Sequence, residues 1–227
     1  MYQYATQGLG PFSSQGGEGV VFVRLEDIAP DFVAREKSQG TYHETASGPL
    51  APHLEIICLP VYFRQHGYIL SPDTKDYYTM SAVLLNPVSK GTVKIETQLN
   101  PKDGSTTVEP LIDPEYLTDK DDFDIRVLSE AVRFIRKLSR RMALMDPAVG
   151  GLEVFPGEAG SPSDDEEALH RFIRSRGETN YHPTSTCRMG PATDPLAVVD
   201  PRLNVYGVGS LRVVDASVMP KVPGKSP

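Results

Sequence analysis

Apolar and polar positions follow two different rhythms along this chain. Gly19–Leu25 (GVVFVRL), Leu54–Leu59 (LEIICL), Tyr77–Leu85 and Gly91–Thr97 are short runs rich in β-branched or aromatic residues, bounded by Pro, Gly and Asn, and each predicts a strand. In the last run Val93 and Ile95 point one way and Lys94 and Glu96 the other, the alternation of an antiparallel sheet with one wetter face. From Asp121 to Met145 the period changes. Val127, Leu128, Ala131, Ile135, Leu138, Met142 and Met145 follow steps of one, three and four residues and so share one face of a helix. Thr118 with Asp121 makes a start that resembles a capping box, Arg140 and Arg141 suit the negative end of the helix dipole, and Pro147 ends it.

A second helix is predicted over Ser163–Arg176. Ser163 with Glu166 forms a capping box, acids fill the first turn, arginines follow, and Gly177 closes it. Ile28–Lys37 predicts a shorter helix with a weaker pattern. Tyr2–Glu18 and Thr41–Pro52 read as irregular, and there is no internal repeat. Strands interleaved with two widely spaced helices, without a regular β-α-β-α cadence, predict an α+β fold: a mostly antiparallel sheet with packed helices.

The composition narrows the partners. The 227 residues are 39% hydrophobic and 23% charged, an ordinary globular balance, and long enough to bury a real core. Net charge is −7 with no basic stripe, which argues against a nucleic-acid partner. No segment approaches the ~20 apolar residues that span a bilayer, and the first residues lack the basic and apolar regions of a signal peptide. Localisation stays open. Cys58 and Cys187 occur singly, in an apolar run and a polar turn, and make no disulfide framework.

The chemistry concentrates near the carboxy terminus. Asn180-Tyr-His-Pro-Thr-Ser-Thr-Cys-Arg-Met-Gly190 places the ring of His182 before a run of small residues. Asp200-Pro-Arg-Leu-Asn-Val-Tyr-Gly-Val-Gly-Ser-Leu-Arg-Val-Val-Asp-Ala-Ser-Val-Met-Pro220 follows, with Leu211–Val214 as a short apolar strand delivering Asp215. These two stretches resemble the carboxy-terminal region of the glucose–methanol–choline (GMC) family of FAD-dependent oxidoreductases. Asn86-Pro-Val-Ser-Lys-Gly91 and Leu111-Ile-Asp-Pro-Glu-Tyr116 resemble further elements of the same family. By that resemblance residues 1–178 are a substrate-binding domain, and residues 179–227 are a partial segment of the flavin domain.

The resemblance implies the following chemistry. Oxidation of an alcohol at its CH–OH carbon removes a hydroxyl proton and a hydride. The flavin accepts the hydride, and the protein supplies the proton acceptor. His182 is that acceptor by resemblance, since imidazole is basic near neutral pH. Tyr181 lies against the substrate, and Asp215 and Ala216 contact the flavin. The alternative reading of His182 is a turn residue without catalytic role. Asp215 also suits a helix N-cap, which is compatible with flavin contact. An α+β hydrolase using His182 lacks the G-x-S-x-G turn for a serine nucleophile. His43, His53, His66 and His170 occur singly, with no His-x₃-His or Cys-x₂-Cys pair, so no metal site is expected.

Two departures from the family pattern stand out. Gly16-Gly-Glu-Gly19 is the nearest approach to a dinucleotide-binding glycine pattern and lacks the required third glycine. The family's second catalytic residue, His or Asn, is expected eleven positions after Asp215, where Ser226 stands, and no His or Asn follows Asn204. The chain therefore resembles the latter part of a protein more than twice its length, truncated at both ends. Its implied partners are a small-molecule alcohol and the missing FAD-binding half. The alternative is a non-catalytic globular remnant that cannot hold FAD alone.

Overall fold

The computed structural model describes residues 2–8, 17, 19–99, 102–157 and 165–222. Within them β1 (Gly19–Val23), β2 (Leu54–Leu59) and β3 (Thr79–Leu84) pair antiparallel in the order β1-β2-β3. Val23 lies opposite Leu54, and Leu54 opposite Leu84. Side chains alternate across the strands, so Leu54 and Ile56, 0% and 2% exposed, enter the core while Glu55 and Ile57 face the other way. The first strand stops two residues short of the expectation because Leu25 turns inward to open α2 (Leu25–Ile28).

Pro30 then starts α3 (Pro30–Gln39), as its fixed φ allows at a first helical position. Gly40 ends it in the left-handed region, its N–H reaching the carbonyls of Glu36 and Lys37. The helix predicted over Ile28–Lys37 thus lies two residues later. Tyr2–Gln7, expected to be irregular, forms a short helix, α1. The core lies between α2, α3, the inner face of the sheet and α4 (Phe123–Met145): Leu25, Phe32, Val33, Leu54, Phe123, Val127 and Ala131 pack together there.

The starts of the two longer helices differ from expectation. α4 begins at Phe123, and Thr118 and Asp121 form no capping box. The Asp119 carboxylate instead accepts Phe123 N at 2.5 Å, and Asp122 takes a left-handed φ of 53° to admit this. α5 (Glu166–Arg176) is capped by Asp165, whose Oδ1 accepts Ala168 N at 2.9 Å; Ser163 lies outside the described residues. Gly177 does end this helix, with its N–H on Ile173 O, but in an extended conformation.

The largest departure is the sheet. β4 (Thr92–Leu99) does not join β1–β3. It pairs with a strand the sequence reading missed, β5 (Thr106–Asp113), in a separate two-stranded ribbon. The register puts Val93 opposite Ile112 and Ile95 opposite Pro110, an apolar face, yet Val93, Ile95 and Ile112 are 51%, 78% and 65% exposed. Both faces of the ribbon meet solvent. Leu111–Asp113, part of the Leu111–Tyr116 element, lie in this strand, which also accommodates Pro110.

Buried polar groups tie these layers together. Asp124, fully buried, accepts Val88 N and Ser89 N at 2.8 Å each and so fixes the connector after β3 to α4. His53, also buried, gathers Glu26 and Glu44, a trio no local ligand spacing announced. Its Nδ1 accepts Leu25 N at 3.2 Å, so Nε2 carries the proton and donates to Glu44 at 2.9 Å. The Arg24 guanidinium, 3.3 Å from Glu26 and 3.8 Å from Glu44, is the cation these carboxylates already have.

Candidate active site

The segment that carries His182 has no regular secondary structure of its own; main-chain hydrogen bonds hold it. Cys187 N donates to Ser217 O at 3.0 Å, Met189 N to Val218 O at 2.8 Å, and Ser185 Oγ to Met219 O at 2.8 Å. The two sequence motifs are thereby zipped side by side. The stretch between them folds back on itself: Val198 N reaches Arg188 O, Val205 N reaches Leu211 O, and Val213 N reaches Leu203 O. Gly190 is required where the chain doubles back, since a Cβ there would meet the Ala197 side chain at 2.9 Å. Leu211–Val214 is not a strand; only an isolated Asn204–Arg212 bridge forms, and Val214 is 72% exposed.

The predicted site residues lie as follows. His182 is exposed, between a left-handed Tyr181 (φ 58°) and a left-handed Ser185 (φ 73°). Tyr181 N is held by Thr179 Oγ1 at 3.0 Å, and its ring packs 4.8 Å from that of His66. Asp215 N-caps the 3₁₀ turn Ala216–Val218, its Oδ1 accepting Ser217 N at 2.8 Å and the Ser217 hydroxyl as well. The Ser217 hydroxyl, then the Ser217 amide, hold the Asp215 carboxyl below the usual aspartate range. Asp215 thus serves as the cap the sequence allowed. The Ala216 N–H takes no partner among the described residues, and the residue is exposed.

Tyr181 and His182 line an open concavity of about 3500 Å³. Its floor includes the outer face of the three-stranded sheet, with Glu55, Ile57, Ser81 and Val83. Its walls are the Tyr62–His66 loop, the Gly150–Gly157 segment and Pro220–Val222. Asn86 fastens that last segment to the connector after β3, exchanging hydrogen bonds of 3.0 and 3.3 Å with the Val222 main chain. The fold therefore presents the His182 imidazole to a large cavity, which His43 and His66 also line, rather than packing it inside.

A sequence profile described as GMC oxidoreductase matches residues 87–227, more than half of the chain and all of the segment just described. The chain belongs to the GMC oxidoreductase family. It is 39% identical over 171 residues to an alcohol dehydrogenase [acceptor] of Pseudomonas putida, covering 75% of this chain and 28% of that protein. It is 34% identical over 157 residues to a choline oxidase of Arthrobacter globiformis, covering 69% of this chain and 26% of that protein. Its fold matches the crystal structure of a formate oxidase with a TM-score of 0.69 and 27% identity, over 99% of this chain and 37% of the other. The chain thus spans between 26% and 37% of the length of these relatives. Proteins of the GMC family are FAD-dependent oxidoreductases acting on alcohol-type donors.

An exposed imidazole, an unpartnered amide at Ala216 and a concavity of this size are compatible with a tricyclic ring. No βαβ unit occurs among the described residues, since the sheet of β1–β3 is antiparallel, so the adenosine half has no cradle in them. Gly16 and Glu18 of the glycine pattern, and Ser226, lie outside the described residues. The sequence reading gave no role to the residues around Tyr181. His66 packs against its ring at a tilt of 51° and lies 3.3 Å from Glu178, and Arg64 lies on the same loop. No spacing rule could find them, because the contacts join residues more than a hundred positions apart. No helix among the described residues is long and apolar enough to cross a membrane.

Proposed function

We propose that this chain is the substrate-binding and histidine-bearing part of a FAD-dependent oxidoreductase acting on the CH–OH group of a small-molecule alcohol. Residues 1–178 form the substrate side, and residues 179–227 return to the flavin side. The observation that carries this reading is the exposed His182 ring on the concavity, joined to the Asp215 turn by the Cys187–Ser217 and Met189–Val218 bonds.

The flavin, when bound, supplies the hydride acceptor. The chain supplies the rest. The unprotonated ring nitrogen of His182 accepts the proton of the alcohol hydroxyl as the carbonyl forms, a task suited to an imidazole near neutral pH. Tyr181 walls the substrate beside it, its backbone set by Thr179 and its ring steadied by His66. Pro183 restricts the backbone of His182 from the following position. The Ala216 N–H and the Asp215 turn offer a donor and an acid to the flavin's polar chain, with Asp215 Oδ1 already committed to Ser217. A non-catalytic unit that cannot hold FAD alone is the competing reading, favoured by the antiparallel sheet and its lack of a nucleotide cradle.

Anaerobic mixing of the chain with FAD and a panel of primary alcohols separates the two. The proposed function predicts alcohol-dependent bleaching of bound flavin, reduced ~10² to 10⁴-fold in His182→Ala. Protein that stays colourless after reconstitution supports the competing reading.

A further inference from the structure

Two cations on the wall of the concavity lack the anion they call for. The Arg64 guanidinium lies over the Phe155 ring, its central carbon 3.7 Å from the centroid, and Arg176 approaches the same ring to 5.9 Å. Neither has a carboxylate within 4.0 Å among the described residues. The chain carries 30 acids against 23 Lys and Arg. Other arginines on the concavity are matched by carboxylates: Arg136 by Glu153, Arg174 by Asp122 and Arg188 by Asp194.

The geometry is that of a prepared fork. Phe155 is itself braced edge-on by Phe172, with centroids 5.6 Å apart, so the ring beneath the Arg64 guanidinium is held in place. Stacking occupies the faces of that group and leaves its in-plane N–H donors at the edge. One of the five is used, on the Tyr62 hydroxyl at 3.2 Å. Two like charges sharing one half-buried ring repel, and an anion between them converts that cost into paired, charge-assisted hydrogen bonds. Arg64, Arg176, Tyr181 and His182 all line the same concavity. Arg64 is two residues from His66, whose ring touches Tyr181, and Arg176 precedes His182 by six residues.

We infer that Arg64 and Arg176 form a carboxylate-binding subsite, and that the alcohol oxidised here carries a carboxylate at the end remote from its CH–OH carbon. The inference rests on the reading that His182 faces the alcohol, but the two fail separately. Binding of para-(hydroxymethyl)benzoate and of neutral benzyl alcohol to the chain, measured by isothermal calorimetry, tests it directly. The carboxylate is expected to bind about 10- to 100-fold more tightly, an advantage that fades as salt is raised. Arg64→Gln and Arg176→Gln each remove that advantage and leave benzyl alcohol unchanged, while Arg64→Lys, which keeps charge without the fork, retains part of it. Should Arg64→Gln fail to fold, Arg176→Gln carries the same comparison. Equal affinity for the two probes, or a preference indifferent to both arginines, overturns the subsite. Flavin bleaching by benzyl alcohol that is lost in His182→Ala decides the oxidoreductase reading independently of either result.

Discussion

Ser185 donates its hydroxyl proton to the carbonyl of Met219 at 2.8 Å, across 34 residues of chain. This bond, with Cys187–Ser217 and Met189–Val218 beside it, makes the His182 turn and the Asp215 turn one rigid corner. The geometry of the candidate site is therefore a property of main-chain pairing between two motifs. Neither motif would hold its shape alone, because neither contains a full element of secondary structure.

Ser185 sits at φ 73°, where a β-branched side chain is strained. Ser185→Val is expected to lose the bond and add strain, costing about 2–3 kcal/mol. Ser185→Gly also loses the bond but relaxes the backbone, so its cost stays under ~1 kcal/mol. Urea midpoints of the two variants measure the difference.

The Asp215 carboxyl is held below the ordinary aspartate value by Ser217. Its folded pKa is depressed, so its contribution to stability is complete above the unfolded value of ~3.9 and lost as pH falls through the lower folded value. The Ser217 amide resonance, followed by NMR, is expected to titrate below ~pH 3.9. Asp215→Asn abolishes that titration. A midpoint at or above the ordinary value contradicts the capping geometry.

Asp124 accepts two main-chain amides from inside the protein. Asp124→Asn keeps the shape but turns an NH₂ group towards one of those N–H donors. A loss of about 2–3 kcal/mol is expected from urea unfolding, with the Asn86–Gly91 connector loosened first. Hydrogen exchange at Val88 and Ser89 reports that loosening.

The legible parts of this molecule were those governed by local rules. The amphipathic period of α4 and the apolar runs of β1, β2 and β3 read directly, and the antiparallel α+β class followed from their order. Helix starts were misjudged wherever a side chain one turn away did the capping, as Asp119 does for Phe123. β5 was missed because Pro110 sits in it and only its partner β4 makes it a strand. The ribbon's exposure on both faces reflects what packs against it, which alternation along one strand does not encode. At the site, the motif named His182, Tyr181, Asp215 and Ala216, but His66, Arg64 and Glu178 reach the same wall through contacts distant in sequence.

The central claim is that the His182 ring faces the flavin. The imidazole resonances of His182, observed in ¹⁵N-histidine-labelled protein during titration with FAD, test it most directly. The account predicts a saturable shift of the His182 signals, with those of buried His53 unmoved. FAD that binds while the His182 signals stay fixed would contradict it.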